Sequence, residues 1–178
     1  MKKHPITIGG VTRELPICRI NESLSIAAFV VIGDPELTTA CAAELSKVVP
    51  EHDYIITAES KGIPIAHEMV RLSGGERYIA ARKASKLYMT GVMEVAVRSI
   101  TTDAEQKLYL DTSDAALMKG KRILIVDDVI STGQSLIALE ELVKRAGGVI
   151  VGRAAVLAEG DAAKREDIIF LQELPLFD

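Results

Sequence analysis

Residues 123–135 read ILIVDDVISTGQS, and this stretch decides the fold. The strand predicted over 122–126 is almost continuously apolar, which is typical of a parallel strand covered on both faces. Two carboxylates, Asp127 and Asp128, end this strand, and a short loop of hydroxyl and glycine residues leads into a helix. A strand joined to a helix in this way predicts one unit of a parallel α/β sheet.

The same alternation of strands and helices continues on both sides of this stretch. We predict further strands over 54–58, 78–81, 149–157 and 168–171, and helices over 35–48, 63–72 and 135–146. Asp34 is typical of a helix N-cap and precedes the first of these helices. Because ligands of parallel sheets bind at the carboxyl ends of the strands, the loops that follow the strands are the expected site.

Two regions interrupt this pattern. Before residue 33 we predict a hairpin and two further extended segments, over 6–13, 14–20 and 25–32. Between residues 82 and 121 no helix is predicted, and a β-ribbon over 92–100 and 106–110 is expected instead. A long excursion of this kind in a compact domain usually has a functional role.

The composition predicts one soluble domain that handles a small molecule. The 178 residues include 25 acidic and 21 basic side chains, and 48% are apolar, enough for a full hydrophobic core. A net charge of −4, 4% aromatic residues and the absence of Trp argue against nucleic acid as a partner. The longest apolar run, 26–32, is too short to cross a bilayer, so no membrane partner is expected. Two thiols, Cys18 and Cys41, lack zinc-ligand spacing and favour a reduced, cytoplasmic location.

The loop after Asp128 has the chemistry of a phosphate site. Backbone amides at a helix N-terminus attract anions, the hydroxyls of Ser131, Thr132 and Ser135 add donors, and a glycine, Gly133, permits close approach. The preceding carboxylates would repel a phosphate but accept hydrogen bonds from vicinal sugar hydroxyls. One ligand that satisfies both is a ribose 5-phosphate group. For the Asp pair taken alone, a metal site or a plain N-cap is the alternative.

The whole segment 123–135 resembles the phosphoribosyl pyrophosphate fingerprint of the type I phosphoribosyltransferases. Segments 57–62 and 82–86 resemble that family's pyrophosphate loop and the Arg-Lys pair that precedes its mobile loop. Alone, each would be an ordinary surface turn or a solvated cationic patch, but each follows a predicted strand. The resemblance covers about 34–157, and the most similar members in appearance are the adenine and xanthine enzymes.

This resemblance implies a parallel sheet flanked by helices in one domain over 1–178, with a hood at 1–34, a core at 35–178 and a flexible loop at about 84–106. It implies a purine phosphoribosyltransferase, a glycosyltransferase of purine salvage that moves the 5-phosphoribosyl group from phosphoribosyl pyrophosphate to a purine base and releases pyrophosphate. It also implies Mg²⁺, held mainly by the substrate rather than by direct protein ligands, and a homodimer.

The resemblance also assigns functional residues. The expected catalytic groups are Lys61, Arg82, Asp127 and Asp128. The carboxylates would orient the ribose, and the cations would neutralise the leaving pyrophosphate. The expected ligands of phosphoribosyl pyrophosphate are Glu59, Ser60, Lys61, Gly62, Arg82, Lys83, Lys86, Asp127, Asp128, Val129, Ile130, Ser131, Thr132, Gly133, Gln134 and Ser135.

The identity of the base is the least determined feature. Residues 99–102 lack the Glu that adenine enzymes often carry in the mobile loop, with Thr101 in its place. Glu159 lies where xanthine enzymes carry a Lys, and it would accept from an exocyclic amine, which favours adenine. The alternatives are a xanthine, hypoxanthine-guanine or orotate phosphoribosyltransferase, or a non-catalytic regulator that senses phosphoribosyl pyrophosphate. Such regulators lose the loop cations that this chain keeps.

Overall fold

The computed structural model describes residues 2–98 and 105–177. Its strands are β1 (Lys3–Ile8), β2 (Val11–Asn21), β3 (Leu24–Ala27), β4 (Tyr54–Ala58), β5 (Ile79–Ala81), β6 (Val92–Arg98), β7 (Glu105–Asp111), β8 (Arg122–Ile130), β9 (Val149–Glu159), β10 (Ile169–Leu174) and β11 (Leu176–Phe177). Its helices are α1 (Pro35–Ser46), α2 (Gly62–Ser73), α3 (Thr112–Met118) and α4 (Gln134–Arg145), with a short 3₁₀ helix over Gly160–Lys164. In the described residues, no helix is both long and apolar enough to cross a membrane.

A five-stranded parallel sheet forms the centre of the molecule, in the order β10-β9-β8-β4-β5. Alternate residues of β8 enter two different hydrophobic clusters. Ile123 and Ile125 pack with α4, β6 and β7, whereas Leu124 and Val126 pack with α1, α2 and the N-terminal strands. Both faces of the sheet are therefore covered, which explains the apolar run in the sequence. The predicted fold class, a parallel sheet flanked by helices, is confirmed.

A second, antiparallel sheet has the order β1-β2-β3-β11 and joins the N-terminal strands to the last strand of the chain. The predicted hairpin is confirmed as β1 and β2. The segment predicted over 14–20 is not separate, because β2 continues through it, and the segment predicted over 25–32 shortens to β3. The other predicted strands and helices lie at nearly the predicted bounds.

An ion-pair network ties this second sheet to the start of α1. Arg13 Nε donates to Asp34 Oδ2 at 2.6 Å, and Arg13 Nη2 donates to Glu36 Oε2 at 2.7 Å. Asp34 also caps α1, because its Oδ1 accepts from the amide of Leu37 at 3.0 Å. The Arg13 guanidinium and then the Leu37 amide hold the pKa of the Asp34 carboxyl below its usual range. The predicted N-cap is confirmed.

The excursion between β5 and β8 contains the expected ribbon and an unexpected helix. β6 pairs with β7 in antiparallel register, and the predicted strand residues 99 and 100 lie outside the described ranges. The expectation of no helix before residue 121 is wrong. Helix α3 forms because Asp111 caps its first turn, accepting from Ser113 N at 2.9 Å, and because its apolar side is buried against the core.

β8 runs past the point where the sequence predicted its end. It continues through Asp127 and Asp128 to Ile130, because β9 extends alongside it and pairs Ala155 with Asp127. On the other side, the pairing of β4 with β8 reaches only Ile125. The last residues of β8 therefore have an edge free of β4, and the segment that follows β4 lies beside this edge.

Asp34→Ala should destabilise the protein by about 1 kcal/mol, since it removes both the cap of α1 and the main partner of Arg13. The free energy of unfolding from urea titration measures this. Glu36→Ala is the matched control, because Glu36 also accepts from Arg13 but is exposed and does not cap the helix. Equal stability of the two variants would contradict the capping role.

Candidate active site

Three polar segments meet at the carboxyl edge of the central sheet. β4 lies between β8 and β5, so the loops that follow these three strands are neighbours. Two contacts join them directly: Lys61 Nζ lies 2.9 Å from Asp128 Oδ2, and Arg82 Nη2 lies 3.1 Å from Glu59 Oε1. The structure therefore brings the side chains that the sequence selected to a single edge of the sheet.

The two helices that begin at this edge have no side-chain cap. Helices α1 and α3 are capped by Asp34 and Asp111. In contrast, α2 begins after Lys61 and α4 after Gly133, and neither of these residues caps its helix through a side chain. Uncapped N-terminal amides attract anions, so these two helix starts suit two phosphate groups.

The loop before α4 surrounds a cavity of about 50 Å³. Gly133 has φ 76°, in the left-handed region, which a glycine adopts at no steric cost and which turns the chain into the helix. The residues that line the cavity are Asp127, Val129, Ile130, Ser131, Thr132, Gly133, Gln134, Ser135 and Leu136. The predicted phosphate loop therefore lines a concave surface. Two of its predicted residues, Val129 and Ile130, belong to strand β8 rather than to the loop.

One contact to this loop could not be predicted from the sequence. Ser135 Oγ at the start of α4 donates to Gln106 Oε1 on β7 at 3.1 Å. Gln106 lies 29 residues before Ser135 in the chain. No local pattern marks such a pair, because the packing of the ribbon on α4 is a tertiary contact.

Asp127 and Asp128 differ in their surroundings. Asp128 is 3% exposed, whereas Asp127 keeps partial contact with solvent. Asp127 Oδ1 accepts from the amide of Asp128 at 2.9 Å. The ion pair between Lys61 and Asp128 does not have the geometry of a hydrogen bond. Two buried oxygens, Asp128 Oδ2 and Thr57 Oγ1, therefore have no hydrogen-bond partner among the described residues. Buried oxygens in this state favour a ligand that brings hydrogen-bond donors.

Gly62 allows α2 to approach β4 and β8 closely. A Cβ atom at this position would lie 2.2 Å from Thr57 Oγ1 and 3.0 Å from Asp127 Oδ1. Such contacts are shorter than atoms tolerate, so a side chain there would displace the helix. The absence of a side chain at Gly62 therefore keeps the preceding Lys61 within reach of Asp128.

Burial and the neighbouring Asp128 raise the pKa of Asp127 to about 8, while the positive charge of Lys61 acts in the opposite direction. Burial and the repulsion between the two carboxyls therefore favour a proton on Asp127, and the ammonium of Lys61 lies beside Asp128. Such a pair can both donate to and accept from two neighbouring hydroxyls.

The Arg82 guanidinium is held by two partners. Arg82 Nη2 donates to Glu59, and its Nη1 donates to the Tyr88 hydroxyl at 2.9 Å. Glu59 Oε2 also accepts from the amide of Lys83 at 2.9 Å, and this amide and Arg82 lower the pKa of the Glu59 carboxyl. Glu59 was predicted to contact phosphoribosyl pyrophosphate, but both of its oxygens are engaged by the protein. These contacts hold the Arg82 guanidinium in position, and the contact of Glu59 with phosphoribosyl pyrophosphate stays a prediction.

Glu159 ends β9 at the same edge of the sheet. Burial raises the pKa of its carboxyl, and the positive charge of Lys61 opposes this shift. In the sheet, Glu159 lies opposite Leu174 of β10. Thr101, on which the comparison with the adenine enzymes rests, lies outside the described residues.

The described residues do not form a closed metal site. Within 2–98 and 105–177, no group of three or more His, Cys, Asp or Glu side chains could hold a metal ion. The oxygens of Asp127 and Asp128 are the hard donors that Mg²⁺ prefers, but they do not complete its coordination. The donor set fits a cation that arrives with a phosphate ligand and takes most of its oxygens from that ligand and from water.

Comparisons with known proteins agree with this geometry. The family model described as phosphoribosyl transferase domain matches residues 35–174. The chain is 38% identical over 113 residues to a hypoxanthine/guanine phosphoribosyltransferase of Methanococcus voltae, covering 64% of this chain and 56% of the relative. It is 33% identical over 117 residues to an adenine phosphoribosyltransferase of Brachyspira hyodysenteriae, covering 65% of each. The crystal structure of an adenine phosphoribosyltransferase from Thermoanaerobacter pseudethanolicus matches the fold with a TM-score of 0.74 at 19% identity, covering 89% of this chain and 95% of that chain.

The fold and the family model together place the chain in the phosphoribosyltransferase class of proteins. The chain belongs to the type I phosphoribosyltransferase family, where it resembles the purine enzymes. It spans 56% of the length of the first relative and 65% of the second. These relatives carry both hypoxanthine/guanine and adenine names, so they do not confirm the expected preference for adenine.

Gly62→Ala should destabilise the protein by about 2 kcal/mol, because the added methyl group overpacks the contact with Thr57 and Asp127. Urea unfolding measures the loss. The double variant Thr57→Ala/Gly62→Ala removes the closest of these contacts and should recover part of it. Purely additive effects of the two substitutions would contradict a direct contact.

Asp127→Asn should become more stable relative to the wild type as pH rises from about 4 to about 8. The folded protein holds the Asp127 proton up to a pKa of about 8, whereas the unfolded chain releases it near 3.8, so wild-type stability falls across this window. Urea unfolding at pH 5, 7 and 9 tests the trend. Asp161→Asn, at an exposed carboxyl whose pKa Lys164 lowers, should show no such gain.

Proposed function

We propose that this protein transfers the 5-phosphoribosyl group from phosphoribosyl pyrophosphate to a purine base and releases pyrophosphate. The observation that carries the proposal is the arrangement at one sheet edge of two uncapped helix starts, α2 and α4, with the partly buried Asp127 and the buried Asp128 between them. A substrate with a phosphate at one end, a pyrophosphate at the other and a ribose in the middle matches this order of groups.

The 5-phosphate would bind the amides and hydroxyls of Ser131–Ser135, and the ribose hydroxyls would bind the Asp pair. Asp128 Oδ2 is buried and lies beside Lys61 but has no hydrogen bond, which supports the second contact, because an incoming hydroxyl would supply one. The raised pKa of Asp127 favours its protonated form, which would donate to one hydroxyl oxygen while Asp128 accepts from the other. The ribose would thus be fixed with its C1 directed toward the loop before α2.

In the reaction, a purine ring nitrogen forms a bond to C1 of the ribose while the bond from C1 to pyrophosphate breaks. Pyrophosphate leaves with the electron pair, and the proton of the purine nitrogen passes to water. The transition state carries positive charge on the ribose ring, as in glycoside chemistry. The carboxylate of Asp128 lies at the ribose position and would stabilise this charge.

The leaving pyrophosphate needs positive charge around it. The loop before α2 supplies the amides of Ser60, Lys61 and Gly62, and Lys61 and Arg82 supply cations. Lys83 and Lys86 lie on the same segment as Arg82 and would add to this field. A Mg²⁺ ion, held mainly by substrate oxygens and water, would supply further positive charge to the leaving group.

For the base we propose adenine as the first candidate. Glu159 lies at the end of β9, and a carboxylate there accepts from an exocyclic amine. The names of the relatives favour hypoxanthine and guanine as the second candidate. Guanine also carries an exocyclic amine, so Glu159 alone does not decide between them. Aliphatic hood residues are the proposed contacts of the base faces.

We also propose a cytoplasmic homodimer, on the strength of the family resemblance. In such a dimer, the exposed cations that follow Arg82 would lie near the partner subunit's site. The non-catalytic regulator is less well supported, because Arg82, Lys83 and Lys86 are all retained.

The test is incubation with phosphoribosyl pyrophosphate, Mg²⁺ and, in turn, adenine, hypoxanthine, guanine, xanthine and orotate, with chromatography of the nucleotide and an assay of pyrophosphate. We expect a purine nucleotide and an equal amount of pyrophosphate. The variant Asp127→Asn/Asp128→Asn should lower kcat/KM at least about 100-fold. Turnover within a few fold of the wild type would overturn the assignment.

The matched control is Glu51→Gln/Asp53→Asn, which removes two carboxylates at the opposite edge of the sheet, where they pair with Arg122. It should keep the activity of the wild type. Product with orotate alone would indicate a pyrimidine enzyme, and no product with any base, despite binding of phosphoribosyl pyrophosphate, would indicate the regulator.

A further inference from the structure

The loop before α4 carries no positive charge of its own. Residues 123–136 contain Asp127 and Asp128 but no Lys, Arg or His. The nearest predicted cation, Lys61, is already engaged by Asp128. A doubly charged phosphate in this loop would therefore lie close to two carboxyl groups, with only neutral donors from the loop itself, unless another segment provides a cation.

One arginine from a distant part of the chain reaches this loop. Arg165 follows the 3₁₀ helix after β9, and its Nη1 lies 3.1 Å from the point where a Cβ of Gly133 would be. Gly133 is the residue immediately before α4, so the guanidinium lies against the start of the helix whose amides would hold the phosphate. A side chain at position 133 would push this guanidinium away.

The orientation of Arg165 is fixed by Asp167. Arg165 Nε donates to Asp167 Oδ1 at 2.9 Å, and Arg165 Nη2 donates to Oδ2 at 2.7 Å. This two-point contact uses one edge of the planar guanidinium and leaves Nη1 directed toward Gly133. In the described part of the chain, Arg165 Nη1 donates no hydrogen bond. A donor held in position without a partner suits an incoming anion.

A second arginine anchors the same carboxylate to α4. Arg153 on β9 forms an ion pair with Glu140 on α4, and its Nε lies 3.8 Å from Asp167 Oδ2. The order Glu140, Arg153, Asp167, Arg165 thus links the body of α4 to the guanidinium at its N-terminus. This link makes the position of Arg165 a property of the fold rather than of a free side chain.

We propose that Arg165 is a further binding residue for the 5-phosphate of the substrate, and that Asp167 is its positioning residue. This inference rests on the proposed function and deepens it. Arg165 supplies the positive charge that the loop lacks, beside Gly133 at the start of α4. Because its side chain is 36% exposed, solvent screens the interaction and its effect is moderate.

Calorimetric titration with ribose 5-phosphate and with pyrophosphate tests the inference. Arg165→Met should weaken ribose 5-phosphate binding about tenfold, as the loss of one charged hydrogen bond predicts, and change pyrophosphate binding less than about twofold. Arg165→Lys should recover part of the loss, because it keeps the charge but not the two-point contact with Asp167. In steady-state assays, the KM for phosphoribosyl pyrophosphate should rise while kcat changes little.

Lys164→Met is the matched control, since Lys164 is the adjacent exposed cation and pairs with Asp161 instead. It should bind ribose 5-phosphate like the wild type. The role of Arg165 would be overturned if Arg165→Met bound ribose 5-phosphate like the wild type, or if it lost equal affinity for ribose 5-phosphate and pyrophosphate. Either result would leave the proposed function standing. If the wild type neither bound ribose 5-phosphate nor formed a nucleotide from phosphoribosyl pyrophosphate and any base, the proposed function would fail and the inference with it.

Discussion

The close approach of α2 to the central sheet at Gly62 is the constraint on which the site depends. With no Cβ atom, the start of this helix lies directly against Thr57 on β4 and Asp127 on β8. This contact joins Gly62 on α2 to Asp127 on β8, two residues that lie 65 positions apart in the sequence. It places the Lys61 ammonium beside Asp128 and so brings the loop after β4 to the loop after β8. A helix displaced by one methyl group would separate the two halves of the site.

Charge balance explains most of the remaining arrangement. Two adjacent carboxyl groups repel each other, and here the pKa of Asp127 is raised while Asp128 pairs with Lys61. Arg82 is likewise balanced by Glu59. The cations near the site are therefore partly neutralised before any ligand arrives, and a polyanionic substrate would compete for them. This arrangement leaves little unpaired charge at the end of an apolar sheet.

The sequence predicted the central α/β elements well because each of them is a local pattern. The residues of strand β8 are apolar on both faces, and α1 begins with the sequence Asp-Pro-Glu. Each element can therefore be recognised without reference to distant residues. Helix α3 was missed because seven residues give less than two full periods of helical spacing. The continuation of β8 through the Asp pair was missed because it depends on β9, whose length along β8 is a tertiary property.

Within the site, the same division holds. The Asp127–Asp128 pair, the hydroxyl loop, Lys61 and Arg82 were all found from the sequence, since their chemistry and their positions after strands are local. Gln106, Arg165 and the positioning role of Glu59 were not, because each acts on a residue far along the chain. From the sequence alone, the fold class and the family follow, because short motifs of strands, loops and helices carry them; the type of ligand stays a prediction. Tertiary structure is needed to establish which charges are paired, which carboxyl has a raised pKa and which arginine lies beside Gly133, because burial and distance between remote segments set these properties.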